Sequence, residues 1–255
     1  MTKTLISAIS IACLALFSVS CKKEKKEETP TPVVNTPNPI ESMFGTVALP
    51  GAHDGALYSI IQFSENSFDG SWEQYGVKSG FAWFGNSTKT EDAGDLSFND
   101  NELFSVSDPS SPFNWYFGSS DYSAASDLWV ATGGPKHPAF STTDNTAYPE
   151  VTNLVTTPSI LTETSGLTVT YTAASGSTGT IITVLNGYGE RISTSEMGSG
   201  TKTIKFSAAQ IKELVDDSPS IIVQVMPVKM TLKNVAAKKY YFVKQAAYNR
   251  EIEAR

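Results

Sequence analysis

Between Gly166 and Thr172 apolar and polar residues alternate strictly, Leu167, Val169 and Tyr171 against Thr168, Thr170 and Thr172. A period of two is that of a strand with one buried face. Gly179–Leu185 continues the pattern after a turn at Ser175–Gly179, and Thr201–Phe206 is a third alternating run. One stretch changes period. Ser207 and Gln210 have capping-box spacing, and Ile211, Leu214 and Val215 then fall on one helical face, which predicts a short helix. Ser220–Val228 and Lys238–Ala247 return to strand. Thr, Val and Ile dominate residues 151–255, tryptophan is absent, and the strands with one helical crossing predict an immunoglobulin-like β-sandwich.

Residues 43–150 read differently but in the same class. Short apolar runs alternate with turn signals. Val47-Ala48-Leu49 stops at Pro50-Gly51. Ala56–Phe63 and Phe81–Phe84 read as strands, the second ending at Gly85-Asn86. The clearest hairpin is Asp95–Val106, where Asn99-Asp100-Asn101 separates Leu96 and Phe98 from Leu103 and Phe104. Asn and Asp tolerate the left-handed backbone that tight hairpins require. Leu128–Val130 and Ala139-Phe140 complete the set, and no helical period of ten residues or more occurs here. The fold class expected is all-β, an aromatic-rich N-terminal β domain (43–150) followed by an immunoglobulin-like sandwich (151–255), or the two fused into one larger sandwich.

The N-terminus has the three parts of an export signal. Lys3 supplies the positive charge. Leu5–Phe17 is an apolar run too short for a stable helical span of a bilayer core about 30 Å thick. Small Ser20 then precedes Cys21, although Ser18 stands where an aliphatic residue usually precedes a lipidated cysteine. Residues 1–20 are thus expected to be a cleaved signal and Cys21 the lipidation site. Residues 21–42, a charged run from Lys22 to Glu28 and then Pro30, Pro32, Pro37 and Pro39, form an extended tether. The other cysteine, Cys13, lies inside the signal, so the mature chain has no disulfide framework and no cysteine metal site. Palmitate-type diacylation exceeds the two-signal threshold for stable membrane anchoring.

This layout, with Asp92–Leu103, Trp129–Phe140 and Gly166-Leu-Thr-Val-Thr, resembles outer-membrane lipoproteins of the Bacteroidota type with β-sandwich domains. The resemblance implies location and class, an outer-membrane lipoprotein facing the periplasm or the cell surface, and carries no activity. Lys22 lacks the Asp that retains lipoproteins at the inner membrane.

The net charge of −7 is unevenly spread. Residues 43–150 hold fourteen acidic side chains against Lys78, Lys89 and Lys136, residues 201–255 hold ten basic against five acidic, and no arginine precedes Arg191. An acidic body without arginine lacks the basic footprint of a nucleic-acid binder.

Catalytic constellations are sparse. Leu49-Pro-Gly-Ala-His-Asp-Gly-Ala56 resembles the first catalytic segment of phosphatidylinositol-specific phospholipases C, which would make His53 a general base. That chemistry needs a second histidine and an arginine, and the chain offers only His137 and no nearby arginine; the βα barrel of that family is missing too. No Gly-x-Ser-x-Gly elbow occurs. A hydrolase with paired carboxylates remains the enzymatic alternative. Asp92, Asp95, Asn99, Asp100 and Glu102 are hard oxygen ligands suited to Ca²⁺ but do not follow an EF-hand pattern; no metal and no cofactor is expected. Trp72 with Tyr75, and Phe113 with Trp115, Tyr116 and Phe117, sit in polar Gly/Ser surroundings that predict loops, where sugar rings could stack. Trp83 and Trp129 sit in apolar runs and read as core. The expected function is therefore a non-catalytic, membrane-anchored lipoprotein with a structural or partner-binding role, its alternative a carbohydrate-binding lipoprotein using Trp72, Tyr75, Trp115 and Tyr116; its partners would be the membrane through the lipid and a glycan or surface protein.

Overall fold

Alternating patterns of this kind need a second layer to bury their apolar face, and the computed structural model supplies it. It describes residues 49–66, 68–86, 89–107, 114–120, 126–215 and 218–255; the signal, Cys21, the tether, Val47-Ala48 and Phe113 lie outside them. The described residues form sixteen strands and one helix. The N-terminal half carries β1 (Gly55–Glu65), β2 (Trp72–Asn86), β3 (Lys89–Thr90), β4 (Leu96–Phe98), β5 (Asn101–Ser107), β6 (Asn114–Ser120), β7 (Asp127–Ala131) and β8 (Phe140–Asp144). The C-terminal half carries β9 (Val151–Thr157), β10 (Ile160–Leu161), β11 (Leu167–Ala173), β12 (Gly179–Asn186), β13 (Arg191–Met197), β14 (Gly200–Phe206), α1 (Ala208–Val215), β15 (Ser220–Val235) and β16 (Lys238–Ala254). The fold is an all-β sandwich with one short helix.

The main sheet runs in the order β13-β12-β15-β16-β1-β2-β6-β5-β4-β7-β8, and β14-β11-β9 form a second sheet. Its centre joins distant parts of the chain. β1 pairs in parallel with β16, Gly55 opposite Tyr240, and antiparallel with β2 on its other side. The expected hairpin is present. Phe98 pairs with Asn101, and Asn99 (φ 48) and Asp100 (φ 65) make the left-handed turn. The helix is capped as its sequence implies. The Ser207 N–H donates to Gln210 Oε1 (2.9 Å), the Gln210 N–H donates to Ser207 Oγ (3.4 Å), and Ile211, Leu214 and Val215 are buried.

Strand alternation divides the apolar residues among three clusters. Leu167, Val169 and Tyr171 of the small sheet pack with the helix onto Ile182, Val223, Tyr248 and Ile61. Phe98, Trp129 and Phe140 pack onto Leu57, Phe84, Tyr240 and Phe242. On the opposite face of the main sheet lie Tyr58, Trp83, Ile181, Met226 and Tyr241. Each cluster draws on both halves of the sequence.

Candidate functional site

The four aromatic residues expected in loops lie in strands. Trp72 and Tyr75 belong to β2, Trp115 and Tyr116 to β6. The polar Gly/Ser setting that suggested loops is the setting of half-exposed strands. Residues three apart in a strand, or one apart, face opposite ways, so neither pair shares a face. Trp72 sits edge-on to Tyr248 at 5.2 Å, with the Arg250 guanidinium 5.9 Å from its ring. Arg250 in turn forms a bidentate pair with Glu65. Tyr75, on the other face, donates to Gln62 (2.9 Å) and accepts from Asn249 (3.0 Å). Tyr116 is buried in the second cluster, its hydroxyl accepting from the Ala93 N–H and donating to Asp92. Burial first, then the Asp92 charge, pushes its phenol up to about 12. Trp115 is partly exposed, and its indole N–H is buried with no hydrogen-bond partner among the described residues. Trp83 and Trp129 are core, as their apolar runs implied.

The two histidines are far apart in role. His53 packs its ring edge-on to Trp83 and Tyr241, and the Tyr241 hydroxyl donates to the Pro50 carbonyl, which fastens the segment before β1 onto the sheet. His137 is buried. Its Nε2 lies 3.0 Å from Glu91 and its Nδ1 2.9 Å from the Tyr240 hydroxyl. A carboxylate can only accept, so Nε2 carries the proton and Nδ1 accepts from Tyr240. Burial outweighs the Glu91 hydrogen bond and holds the imidazole below its ordinary value. The side chains of the oxygen-rich Asp92–Glu102 segment bond backbone N–H groups, Asp92 accepting from the nearby Gly94 N–H and Asn99 from the Leu128 N–H of β7. Among the described residues no three acidic, histidine or cysteine side chains assemble to hold a metal ion.

The densest chemistry lies where distant strands meet. Ser59 of β1 is opposite Lys244 of β16 and opposite Gly80 of β2, and Lys78 stands two residues before Gly80 on the same face. β7 and β8 bring Asp127 and Asp144 over this row. Lys78 Nζ donates to Asp127 Oδ1 at 2.8 Å, and Lys244 Nζ donates to Oδ2 of the same carboxylate. Lys244 also lies 3.7 Å from Asp144 Oδ2. The Tyr148 hydroxyl lies 3.3 and 3.4 Å from the two Asp127 oxygens, as donor, and accepts from Ser59. The Tyr148 ring flanks both ammonium groups, 4.6 Å from Lys244 and 5.5 Å from Lys78. Lys233, at the rim, holds Asp144 Oδ1 at 2.8 Å, and Thr146 caps the same oxygen. Burial opposes ionisation of Asp144, yet Lys233, Thr146 and Lys244 outweigh it and keep its carboxyl below the usual range. Burial and the Asp127 charge push the Tyr148 phenol far up. Exposure is 0% for Asp127, 1% for Lys78 and 2% for Lys244 and Asp144. The sequence signal was available. Lys244 interrupts the run Tyr240–Ala247, where a lysine can be buried only if it is paired.

No helix among the described residues is long and apolar enough to cross a membrane. No protein-family model matches the chain, and no curated protein matches it in sequence. Among solved structures, the chain is similar to a structure described as giving insight into host cell surface retention of a 1.5-MDa bacterial ice-binding adhesin. That match has 11% identity and a TM-score of 0.25 and covers 80% of this chain and 65% of that one. It is also similar to the Yersinia pseudotuberculosis adhesin InvE, at 7% identity and a TM-score of 0.22, covering 76% of this chain and 58% of that one. The chain thus spans less than two thirds of either, and likeness at this level carries no argument about function.

Proposed function

We propose that this chain is a lipid-anchored outer-membrane lipoprotein whose β body is non-catalytic and serves a structural or partner-binding role. The observation that carries the reading is the sealing of its most convergent set of ionisable groups. Asp127, Asp144, Lys78 and Lys244 expose at most 2% of their surface, so no diffusing substrate reaches them. The buried His137 is likewise held by Glu91 and Tyr240. The anchor reading rests on the order of Lys3, the Leu5–Phe17 run, Ser20 and Cys21, then a charged and Pro-rich tether. Metabolic labelling of the native host with a palmitate analogue tests it. Label is expected on the wild-type chain and not on Cys21→Ser, with the variant leaving the membrane fraction. An unlabelled wild-type chain sinks the reading. Protease treatment of intact cells then separates a surface-facing body from a periplasmic one.

The partial exposure of Trp72 and Trp115 favours glycan binding as a second reading. Because the pairs are split between faces, each tryptophan would act alone. A glycan array with the wild type, Trp72→Ala and Trp115→Ala decides it; an array with no signal for the wild type ends it.

A further inference from the structure

The geometry points to an activity of the chain upon itself: formation of an amide bond between Lys244 Nζ and the side-chain carbonyl carbon of Asp127. A buried ammonium and a buried carboxylate in direct contact hold the atoms of an amide plus one water. In water this condensation is opposed by solvation of both ions. Here both groups are at 0–2% exposure, between the apolar residues of two core clusters. Removing ions from water raises the free energy of the charged pair, so loss of both charges to a neutral amide relieves it. Holding the amine against the carboxyl also replaces a bimolecular encounter, an advantage equivalent to about 10⁵–10⁸ M in well-oriented systems.

Each neighbouring group has a part in the step. Asp144, 3.7 Å from Lys244 Nζ, takes a proton from the ammonium and frees the lone pair. Asp127 gains that proton and becomes the carboxylic acid. The amine then attacks the Asp127 carbonyl carbon, the C–N bond forms, and negative charge develops on Oδ1. Lys78, donating to Oδ1 at 2.8 Å, is placed to stabilise that charge, and the Tyr148 hydroxyl lies within 3.4 Å of the same oxygen. A second proton passes from nitrogen through Asp144 to the departing hydroxyl, the C–O bond breaks, and water leaves. Atoms and charge balance with no oxidant, metal or co-reactant, and Asp144 ends as it began. Two lysines on one carboxylate thereby have separate tasks, Lys244 as nucleophile and Lys78 as charge stabiliser. The product is a covalent strut from β7 to β16, elements separated by five strands along the main sheet.

Peptide mapping of the full chain from its native host tests this directly. No lysine or arginine lies between Lys89 and Lys136, so trypsin releases residues 90–136, which contain Asp127, as one peptide. An acylated Lys244 resists trypsin, leaving residues 240–250 uncut. The expected species is a branched peptide of 90–136 and 240–250, lighter than the sum of its parts by one water. Recovery of 90–136, 240–244 and 245–250 as separate linear peptides overturns the proposal. So does a branch that runs instead to Lys78, seen as 90–136 joined to 27–89. The wild-type map decides without any variant. Asp144→Asn then tests the proton relay, with the branched species expected to be lost while near-ultraviolet circular dichroism stays native. Full branching in that variant removes Asp144 from the step.

Discussion

Gly80 lies directly beneath Phe98. A Cβ built at Gly80 would come 2.6 Å from the Phe98 ring, closer than side-chain carbons approach in proteins. This bare patch on β2 lets β4 fold closely over β2, and with it β7, which carries Asp127. Gly80→Ala is expected to cost about 1–3 kcal/mol as overpacking. Chemical denaturation checks it, and Phe98→Leu in the same chain should restore part of the loss.

Lys78 is held 2.8 Å from Asp127 with 1% of its surface exposed. Its replacement by Met keeps the stem and removes the charge. Breaking a buried ion pair from one side costs about 3–5 kcal/mol, and a loss of that order is expected in thermal or urea unfolding of Lys78→Met in chains whose Asp127 is still a free carboxylate. A loss under 1 kcal/mol would mean that the ammonium adds little to the cluster.

The turn between β15 and β16 is made by Ala236 (φ 49) and Ala237 (φ 64), with Val235 paired to Lys238. Left-handed backbone costs a non-glycine residue about 1–2 kcal/mol. Asn at 236 and Gly at 237 suit such a turn, so the double change Ala236→Asn, Ala237→Gly should raise the unfolding midpoint. An unchanged or lower midpoint would refute the turn assignment.

His137 sets a pH dependence. Its folded-state value is held below the ordinary 6.5, so the unfolded chain binds the proton more readily. The stability it contributes is complete above 6.5 and is lost as pH falls from there through the depressed folded value. Asp144 and Glu91, also lowered, add a separate loss at more acid pH. Denaturation across the range should show both steps, and His137→Gln should abolish the upper one while leaving the lower.

Exposure divides the tryptophans. Trp83 at 2% and Trp129 at 1% are closed to solvent, whereas Trp72 and Trp115 are partly open. Acrylamide should quench two classes of emission, and the accessible class should disappear in the Trp72→Phe, Trp115→Phe double variant.

Local chemistry was legible in the sequence wherever one residue type has one structural use. Ser207 and Gln210 marked the helix start, and Asn99-Asp100 marked a turn, because few other conformations satisfy those side chains. The Ala236-Ala237 turn carries no such mark, and the apolar runs Ser220–Val228 and Lys238–Ala247 are shorter than the long hairpin they belong to. Trp72, Tyr75, Trp115 and Tyr116 misled for a related reason. Polar neighbours signify exposure, and a half-exposed strand has them as surely as a loop. The Lys78–Asp127–Lys244 cluster depends on pairing between β1, β2 and β16 and on the layer above them, relations that no local window contains.

The parallel pairing of β1 with β16 has a consequence for how such a chain is delivered. Gly55–Ser64 pairs with β2 on one side but finds its parallel neighbour in Tyr240–Asn249, nearly the whole length of the body later. Contacts so distant in sequence form slowly, and the centre of the sheet stays open until the final strand arrives. A polypeptide threaded outward from its N-terminus would then complete its central sheet only after β16 had crossed.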